Sequence, residues 1–299
     1  MSKLNPETQI RLNDEVLEKT ANQFNLHMQD WQPVATGIAN TVAALYTEEG
    51  KFFAKYYRST HSPDRLSDEL ALMESLSREV PIPKLRYSNE NNQSISISGD
   101  TQTHLVTVAS EINGTHPLTY NRTLIGQLAL AHALMHSVKP PASQSAPLDL
   151  SKDYNFYEDK SNGQFNSVNS QAGDHLSIVQ KVWGALPSGL VHLDVVKNNI
   201  LTEDDELTGI IDFEDTSVAP YVFCLAGTLW DIRQEKGAGS EDYLDYMEHY
   251  QEIRVLGENE LNLLESMIYL RGWIALHGTL LTAGKTNTAI KQMEILTSL

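Results

Sequence analysis

The first third of the chain shows two hydrophobic periods, and together they predict a small antiparallel sheet with a helix against it. Apolar positions recur every second residue in four short segments, which we predict as strands, and at helical spacing in two longer segments. Pro81 and Pro83 mark the end of the second helix. The predicted strands lie near 42–46, 52–57, 94–97 and 104–109, and the predicted helices lie near 13–24 and 64–79.

The pattern after Leu118 is mainly helical. Apolar residues recur at helical spacing from Leu124 onward, and the stretch 241–299 looks almost wholly helical, with a strand, a loop and a hairpin between these regions. We therefore expect an α+β fold in two lobes, residues 1–112 and 113–299. The boundary is placed at Ile112-Asn113-Gly114, where a strand ends in turn residues.

Composition limits the classes of function that fit this chain. Its 299 residues include 39 acidic and 22 basic side chains, and a net charge of −17 argues against a nucleic-acid partner, which attracts clustered cations. A cationic or zwitterionic small substrate fits that charge better. The content of 41% hydrophobic and 20% charged residues, without an apolar run long enough for a membrane span or a secretion signal, predicts a cytoplasmic protein with no membrane partner. The single cysteine, Cys224, excludes an internal disulfide.

The most informative segment is 192–199, which reads HxDxxxxN. Asp194 has the position of a base that accepts a proton from an attacking hydroxyl group, and Asn199 is far enough along the loop to turn back and hold a metal ion. A carboxylate between two apolar neighbours is costly to bury unless it has a function. We predict Asp194 as the catalytic base, and we expect His192 to brace the loop rather than take part in the chemistry.

A second carboxylate ends the hairpin that follows this loop. Apolar residues on both sides of the turn 204–206 predict two paired strands, so that Asp212 returns to the end of the hairpin where Asn199 begins. We predict that Asn199 and Asp212 together hold a metal ion, although Asn199 alone is also compatible with an ordinary turn.

A lysine and a glutamate in the first lobe predict a nucleotide contact. Strand alternation puts Lys55 on the same face as Phe53 and Tyr57, where an ammonium group needs a partner. The helix near 64–79 has Glu69 inside its apolar stripe. An ion pair between Lys55 and Glu69 would satisfy both groups and direct the ammonium group to the phosphates of ATP. The alternative is that Lys55 extends to solvent and Glu69 lies at the edge of the stripe.

Two further segments also predict nucleotide contacts. The turn 36–41 contains a single glycine, Gly37, where a loop covering the phosphates is needed, but an ordinary turn between strands explains it equally well. The strand that ends near Ser110 and Ile112 leads into the connection between the lobes. Its main-chain groups are candidates for pairing with an adenine edge.

Taken together, these motifs resemble the aminoglycoside phosphotransferase and choline kinase-like family of small-molecule kinases, which are related in fold to protein kinases. The matching positions span most of the chain: Lys55, Glu69, Leu134-Met135-His136, Asp194, Asn199 and the segment 210–215. The resemblance implies a protein kinase-like fold, a nucleotide-binding lobe (1–112) and a catalytic and substrate-binding lobe (113–299). It also implies ATP and Mg²⁺ as cofactors, Asp194 as base, Asn199 and Asp212 as magnesium ligands, and Lys55 on the nucleotide phosphates.

The chain departs from the family pattern at three places. Leu193 stands where glycine is usual, and residues 196–198 replace a turn of the His-Pro-Gly type. The segment 223–226, Phe-Cys-Leu-Ala, stands where many members have Tyr-Asp-Leu-Ala, so a carboxylate that many relatives use structurally is replaced by Cys224. None of these differences removes a catalytic group.

The phosphate acceptor is less clearly indicated. Segments 37–41 and 270–272 are similar to the bacterial type II homoserine kinases, which makes Arg271 a candidate for binding a substrate carboxylate, although a helix arginine more often forms an ion pair. The acidic run 241–252 favours an amine-rich acceptor such as choline or an aminoglycoside, although a solvated helix face explains it as well. Glu214 is a further candidate substrate contact.

We therefore expect an enzyme that transfers the γ-phosphate of ATP to a hydroxyl group of a small, amine-containing molecule. Two alternatives remain. One is a nucleotide-binding protein of this fold that has lost catalysis, although such a protein has no need of Asp194. The other is a protein serine/threonine kinase, although the chain lacks an arginine before Asp194 and a glycine after Phe213.

Overall fold

The first lobe is built on one antiparallel sheet. The computed structural model describes residues 8–34, 40–99, 102–139, 142–161, 165–236, 241–284 and 286–299. The elements of this lobe are α1 (Asp14–Gln23), β1 (Met28–Val34), β2 (Thr41–Thr47), β3 (Gly50–Tyr56), α2 (Pro63–Leu76), β4 (Ser94–Ser98) and β5 (Thr103–Ser110). Within the described residues the five strands pair in the order β1-β2-β3-β5-β4.

The hairpin of β2 and β3 follows from its turn and its apolar residues. Thr47 pairs with Gly50, whose φ of +126° is a conformation that favours glycine. Leu45 and Ala54 are buried against α1, which begins with Asn13 as its N-cap. The sequence pattern does not predict β1, because this edge strand has mostly exposed side chains and no alternation of buried positions.

The second lobe is mainly helical. Its helices are α3 (Arg122–Ser137), α4 (Leu150–Ser161), α5 (Asn166–Gln180), α6 (Tyr221–Lys236), α7 (Glu241–Gln251), α8 (Glu258–Ala283) and α9 (Asn287–Ser298). Its strands are β6 (Ser188–His192), β7 (Ile200–Glu203), β8 (Glu206–Ile210) and β9 (Thr216–Pro220). The predicted hairpin is β7 with β8, and its turn residues Asp204 and Asp205 have positive φ values of 50° and 68°. The strand β9 pairs with β6 and was not predicted, because its partner is about thirty residues away in the chain.

The hydrophobic core divides unequally between the lobes. A smaller cluster lies between α1 and the sheet, while a larger one fills the helical lobe. The larger cluster includes Leu72, Met73 and Leu76 of α2, so apolar packing crosses the boundary placed at residue 112. The connection leaves the sheet at Ser110, and Thr115 is already bridged to Thr202 of β7. The α+β fold class expected from the sequence is confirmed. No helix in the described ranges is long and apolar enough to cross a membrane.

Candidate active site

The loop between β6 and β7 carries Asp194 and Asn199 and brings them together. The side-chain N–H group of Asn199 donates to the main-chain oxygen of Asp194 at 2.9 Å and to its Oδ2 at 2.7 Å. A short 3-10 turn at Lys197–Asn199 makes this reversal of the chain. Because the amide nitrogen is held by Asp194, the Oδ1 of Asn199 is the atom with which it would bind a cation.

His192 braces this loop, as its position in the sequence predicts. The main-chain N–H group of Asp194 donates to Nδ1 of His192 at 3.3 Å, and Nε2 of His192 lies 3.0 Å from the carbonyl oxygen of Ile211. One neutral ring therefore ties the main chain of Asp194 itself to that of Ile211, the residue before Asp212. Burial lowers the pKa of His192, which keeps the ring neutral at physiological pH.

Side chains from two helices, α6 and α8, hold the backbone of the loop between β6 and β7, which we call the catalytic loop because it carries the predicted base. On α6, the Cys224 thiol donates to the carbonyl oxygen of His192 at 2.9 Å and the Thr228 hydroxyl donates to that of Val195 at 2.7 Å. Asp231, one further turn along α6, accepts from the main-chain N–H group of Lys197 at 2.8 Å. Sequence reasoning missed this role, and the spacing of 224, 228 and 231 on one helix face is the signal that it did not use. The thiol thus occupies the place of the carboxylate that the family pattern has at residue 224.

Arg271 of α8 completes this support. Its Nη2 donates to the carbonyl oxygen of Leu193, the residue just before the base, at 2.5 Å, and its guanidinium lies over the ring of Phe223 at 5.3 Å. A side chain at Gly227 would meet the guanidinium at less than 3 Å, so a glycine at that position lets α8 bring Arg271 under the loop. Within the described residues Arg271 therefore lies beside the catalytic loop and forms no ion pair with a carboxylate.

Carboxylates dominate the electrostatics around Asp194. Burial, and then the charge of Asp215, raise the pKa of Asp194 to about 6, against the opposing charge of Arg271. Burial also raises the pKa of Asp153 on α4, with Arg271 opposing and Asp215 adding to the effect. Asp212 adds to the effect on Asp194, and the Arg65 guanidinium lies 3.9 Å from Asp215, so this region holds four carboxylates and two guanidinium groups. Sequence reasoning did not identify Asp153, because nothing in the local pattern connects α4 with the loop, and it included Asp215 only within the family segment 210–215.

Asp212 follows β8 in an unusual backbone conformation. Its φ of 63° and ψ of 64° lie in the left-handed region, which costs energy for a residue other than glycine and is found often at functional sites. The main-chain N–H group of Ile211 donates to the carbonyl oxygen of Asn199 at 2.9 Å, so the two predicted metal ligands lie on adjacent chain segments. A carboxylate and an amide oxygen are the hard ligands that Mg²⁺ prefers, and this donor set fits that ion.

Lys55 lies at the centre of the contacts between the lobes. Its Nζ is 3.7 Å from Oε1 of Glu69, 2.9 Å from Oδ1 of Asp212 and 3.8 Å from Oε2 of Glu214. The Tyr57 hydroxyl donates to the same oxygen of Glu69 at 2.7 Å, a contact that was not predicted. Burial lowers the pKa of Lys55, but the charges around it, Glu69 first, raise it well above its ordinary value. The ammonium group is therefore charged throughout the physiological range.

Glu214 contacts residues of the first lobe, so its carboxylate already has partners within the protein. The amide of Asn40 donates to Oε2 of Glu214 at 2.5 Å, while Oδ1 of the same amide accepts from the main-chain N–H group of Arg58. The Arg58 guanidinium is 3.5 Å from Oε1 of Glu214. Asn40 adjoins the turn that carries Gly37, and Gly37 itself lies outside the described residues. Glu214 as a substrate contact stays a prediction.

The predicted adenine contacts lie at the end of β5. The main-chain N–H group of Ser110 donates to the carbonyl oxygen of Lys84 at 2.9 Å, so this group already has a partner within the protein. The side chain of Ile112 lies against Gly209 of β8, where the first lobe meets the second. A role for Ser110 or Ile112 in nucleotide binding stays a prediction.

Comparison with known proteins gives a consistent result. The model of the phosphotransferase enzyme family matches residues 30–257. A homoserine kinase from Bartonella henselae is 26% identical over 241 residues, which cover 78% of this chain and 74% of that protein. Two solved structures share the fold. An aminopropanol kinase associated with a microcompartment has a TM-score of 0.75 at 16% identity, covering 95% of this chain and 94% of that one. An amicoumacin kinase in complex with AMP-PNP and Ca²⁺ has a TM-score of 0.73 at 17% identity, covering 96% and 94%.

Proposed function

Since this chain belongs to the phosphotransferase enzyme family and is a small-molecule kinase, we propose that it transfers the γ-phosphate of ATP to a hydroxyl group of a small molecule that carries an ammonium group. The observation that supports this most strongly is the arrangement around Asp194. The base is held by Asn199, the loop is held by α6 and α8, and Lys55 lies 2.9 Å from Asp212 in the cleft between the lobes.

The nucleotide side of the reaction rests on Lys55, Asn199 and Asp212. We propose that Asn199 and Asp212 bind Mg²⁺, which offsets negative charge on the phosphates when it is bound. Lys55 is held by Glu69 from α2, so its ammonium group is positioned before the nucleotide arrives and loses little freedom on binding. Its ammonium group now contacts Asp212, and we propose that it would also contact a phosphate of the bound nucleotide.

Asp194 is proposed to orient the acceptor hydroxyl and to take its proton. With a pKa of about 6, the carboxylate is ionised at neutral pH but is more basic than an ordinary aspartate, which suits a general base. The bond from Asn199 fixes the Oδ2 atom of the carboxylate. Arg271 holds the preceding carbonyl group, so the base keeps its position while the proton moves.

The charges near Asp194 support an acceptor with an ammonium group. Asp153, Asp194 and Asp215 carry three negative charges against two guanidinium groups, that of Arg271 and that of Arg65, which is 3.9 Å from Asp215, so a net negative charge remains for a cationic ligand. We propose that the ammonium group of the acceptor lies on this acidic side. Arg271 holds the loop through Nη2, and we propose that its charge also attracts the carboxylate of a compact zwitterionic amino alcohol such as homoserine, which favours such acceptors over large aminoglycosides.

A substrate screen with matched compounds tests this proposal. ATP consumption is measured with homoserine, with 4-hydroxybutyrate, which lacks the ammonium group, and with 3-aminopropanol, which lacks the carboxylate. We expect turnover with homoserine and a large loss for 4-hydroxybutyrate. Equal rates with and without the ammonium group would contradict the acceptor class.

Choline, aminoglycosides, sugars and a generic protein substrate complete the screen, and a thermal-shift titration with magnesium and ATP accompanies it. Turnover with the protein substrate alone would show a protein kinase. Stabilisation by ATP without turnover of any acceptor would favour a nucleotide-binding protein without catalysis.

A further inference from the structure

Behind the catalytic loop, three potential metal ligands meet inside the helical lobe. His132 and His136 lie one turn apart on α3, and Cys224 faces them from α6. One ligand atom from each residue lies within 4.8 Å of the other two, and all three side chains are almost completely buried. The mechanism proposed above uses only the hydrogen bond from Cys224 to the loop and does not use either histidine.

The hydrogen bonds of the two rings are those expected of histidines that bind a metal through Nε2. Nδ1 of His132 lies 2.8 Å from the Tyr246 hydroxyl, and Nδ1 of His136 lies 2.8 Å from the Tyr250 hydroxyl. These tyrosines are also one turn apart, on α7, so one helix orients both rings. Metal-binding histidines typically have their second nitrogen fixed in this way by an outer group.

The other ring nitrogens, Nε2 of His132 and Nε2 of His136, are the candidate metal ligands. Nε2 of His132 lies 3.1 Å from the sulfur of Cys224, which is a hydrogen-bonding distance, and an opening of this contact to roughly 3.5 Å would let both atoms bind one ion. Nε2 of His136 is buried and has no hydrogen-bond partner in the described part of the chain. A buried ring nitrogen without a partner is unfavourable, and a bound cation would satisfy it.

The protonation states also suit a metal. Burial, with a smaller contribution from the charge of His192, lowers the pKa of His132 to about 3, and burial lowers that of His136 well below its ordinary value. Both rings are therefore neutral at physiological pH and need not lose a charge to bind. Burial raises the pKa of Cys224 to about 12, so the thiol loses its proton only if a cation replaces it.

We propose that His132, His136 and Cys224 form a buried site for one thiophilic metal ion, copper(I) or zinc, in the helical lobe beneath the catalytic loop. Two imidazoles and one thiolate are ligands that both ions accept. Binding forms the metal–sulfur bond and releases the thiol proton to solvent. A copper(I) ion with one thiolate is neutral overall and accepts three ligands, whereas zinc leaves a positive charge in an apolar core and needs a fourth ligand. Copper(I) is therefore expected to bind more tightly.

Binding at this site has a consequence for the catalytic loop. The thiol proton that a metal displaces is the one that Cys224 donates to the carbonyl oxygen of His192. The loop that carries Asp194 then loses one of its supports, and a thiolate faces the carbonyl oxygen instead. A thiophilic metal would thus act on the kinase from behind its base.

The experiment uses the full chain, without an affinity tag, refolded in the presence of Co²⁺, of Zn²⁺ or, under anaerobic conditions, of Cu⁺. Since Cys224 is the only cysteine of the chain, a thiolate-to-cobalt charge-transfer band in the near ultraviolet can arise only from this residue. Competition with a chromophoric chelator gives the affinities for Zn²⁺ and Cu⁺. We expect one ion per chain, loss of the band in Cys224→Ser, and at least tenfold weaker binding in His132→Gln and in His136→Gln.

His249→Gln is the matched control, because this histidine lies on α7 outside the cluster, with 40% of its side chain exposed, and pairs with Glu252. It should bind metal like the unchanged protein. Absence of the cobalt band together with absence of stoichiometric Zn²⁺ and Cu⁺ binding overturns the proposal, and this measurement needs no variant. Binding that both histidine variants leave unchanged, with native circular dichroism, also overturns it, because the ion would then be held by the thiol alone.

Discussion

At the scale of single residues, we expect the charge of Asp194 to affect both activity and stability. Its pKa of about 6 in the folded protein is above the ordinary value of 3.8, and burial is the main cause. The folded state therefore holds the proton more tightly than the unfolded state. The contribution of this group to stability is complete below about pH 4 and is lost as the pH rises through 6. A functional carboxylate is thus retained at a cost in stability at neutral pH.

Replacing Asp194 by asparagine separates these two effects. We expect kcat to fall by about 100- to 10,000-fold, because the base is removed, while the affinity for magnesium and ATP changes little. The same variant should be more stable than the unchanged protein above pH 6, by roughly 1 to 3 kcal/mol, and no more stable at pH 4. Steady-state kinetics and urea unfolding at the two pH values provide the measurements. Unchanged turnover would contradict the role of Asp194.

At the scale of elements, α6 and α8 hold the catalytic loop through its main chain. Cys224, Thr228 and Asp231 contact three points of the loop, and Arg271 contacts a fourth. These contacts explain how the loop keeps its shape although the chain lacks the aspartate that many relatives have at residue 224. The two helices thus fix the backbone around Asp194 and leave its carboxylate free of these contacts.

Arg271→Met tests the positioning effect of this residue. Without the guanidinium the pKa of Asp194 should rise further, so the acidic limb of the pH profile of kcat/KM should move to higher pH. Loss of a hydrogen bond from a charged group should also lower kcat by roughly 10- to 100-fold. Arg271→Lys keeps the charge and should restore the position of the acidic limb. An acidic limb that stays in place in the methionine variant would show a merely structural role.

Another helix, α2, is hydrogen-bonded to the helical lobe through Asp68. This buried carboxylate accepts hydrogen bonds from the Ser143 hydroxyl at 2.6 Å, from the main chain of Gln144 at 2.7 Å, and from both groups of Ser145. Burial works to raise the pKa of Asp68, but these hydrogen bonds together lower it. The stability that it contributes is present above pH 4 and is lost as the pH falls below that.

Asp68→Ala should therefore destabilise the protein by about 1 to 3 kcal/mol at pH 7, because several donors lose their acceptor. Urea unfolding at pH 7 measures the change. Asp64→Ala in the exposed first turn of the same helix is the control, and we expect it to have a smaller effect. Equal stability of the two variants would mean that Asp68 does not anchor α2.

At the scale of the whole molecule, the active site depends on how the two lobes face each other. Lys55 contacts Glu69 of α2 together with Asp212 and Glu214 of the second lobe, and Asn40 adds a bond to Glu214. Part of α2 packs in the larger core. Through Glu69, this helix therefore fixes the position of Lys55 relative to the second lobe. The position of Lys55, the proposed nucleotide contact, therefore depends on both lobes.

Lys55→Met should lower kcat/KM for ATP by on the order of 100- to 1,000-fold, because a charged donor to the phosphates is lost. Calorimetric titration with magnesium and the nucleotide should show weaker binding. Lys51→Met is the matched control, since its ammonium group pairs with Glu111 away from this cluster. Normal affinity in Lys55→Met would contradict the proposed nucleotide contact.

Much of the fold was predictable because its signals are local. The hairpins of β2 with β3 and of β7 with β8 follow from alternation and turn residues, and the loop at 192–199 follows from residue spacing. The strand β1 was missed because it is an exposed edge, and β9 was missed because its pairing with β6 is distant in sequence. Tyr57 and Asp153 were missed because their roles depend on partners in other elements.

The sequence by itself determined the α+β organisation and the candidate residues for phosphate transfer, because hydrophobic period, turn chemistry and the spacing of Asp194, Asn199 and Asp212 are properties of short segments. Only the tertiary structure decided that Arg271 lies under the catalytic loop and that Cys224 meets His132 and His136 behind it. Arg271 is 78 positions from Leu193, and Cys224 is 92 positions from His132. Only the packing of whole helices brings these residues together.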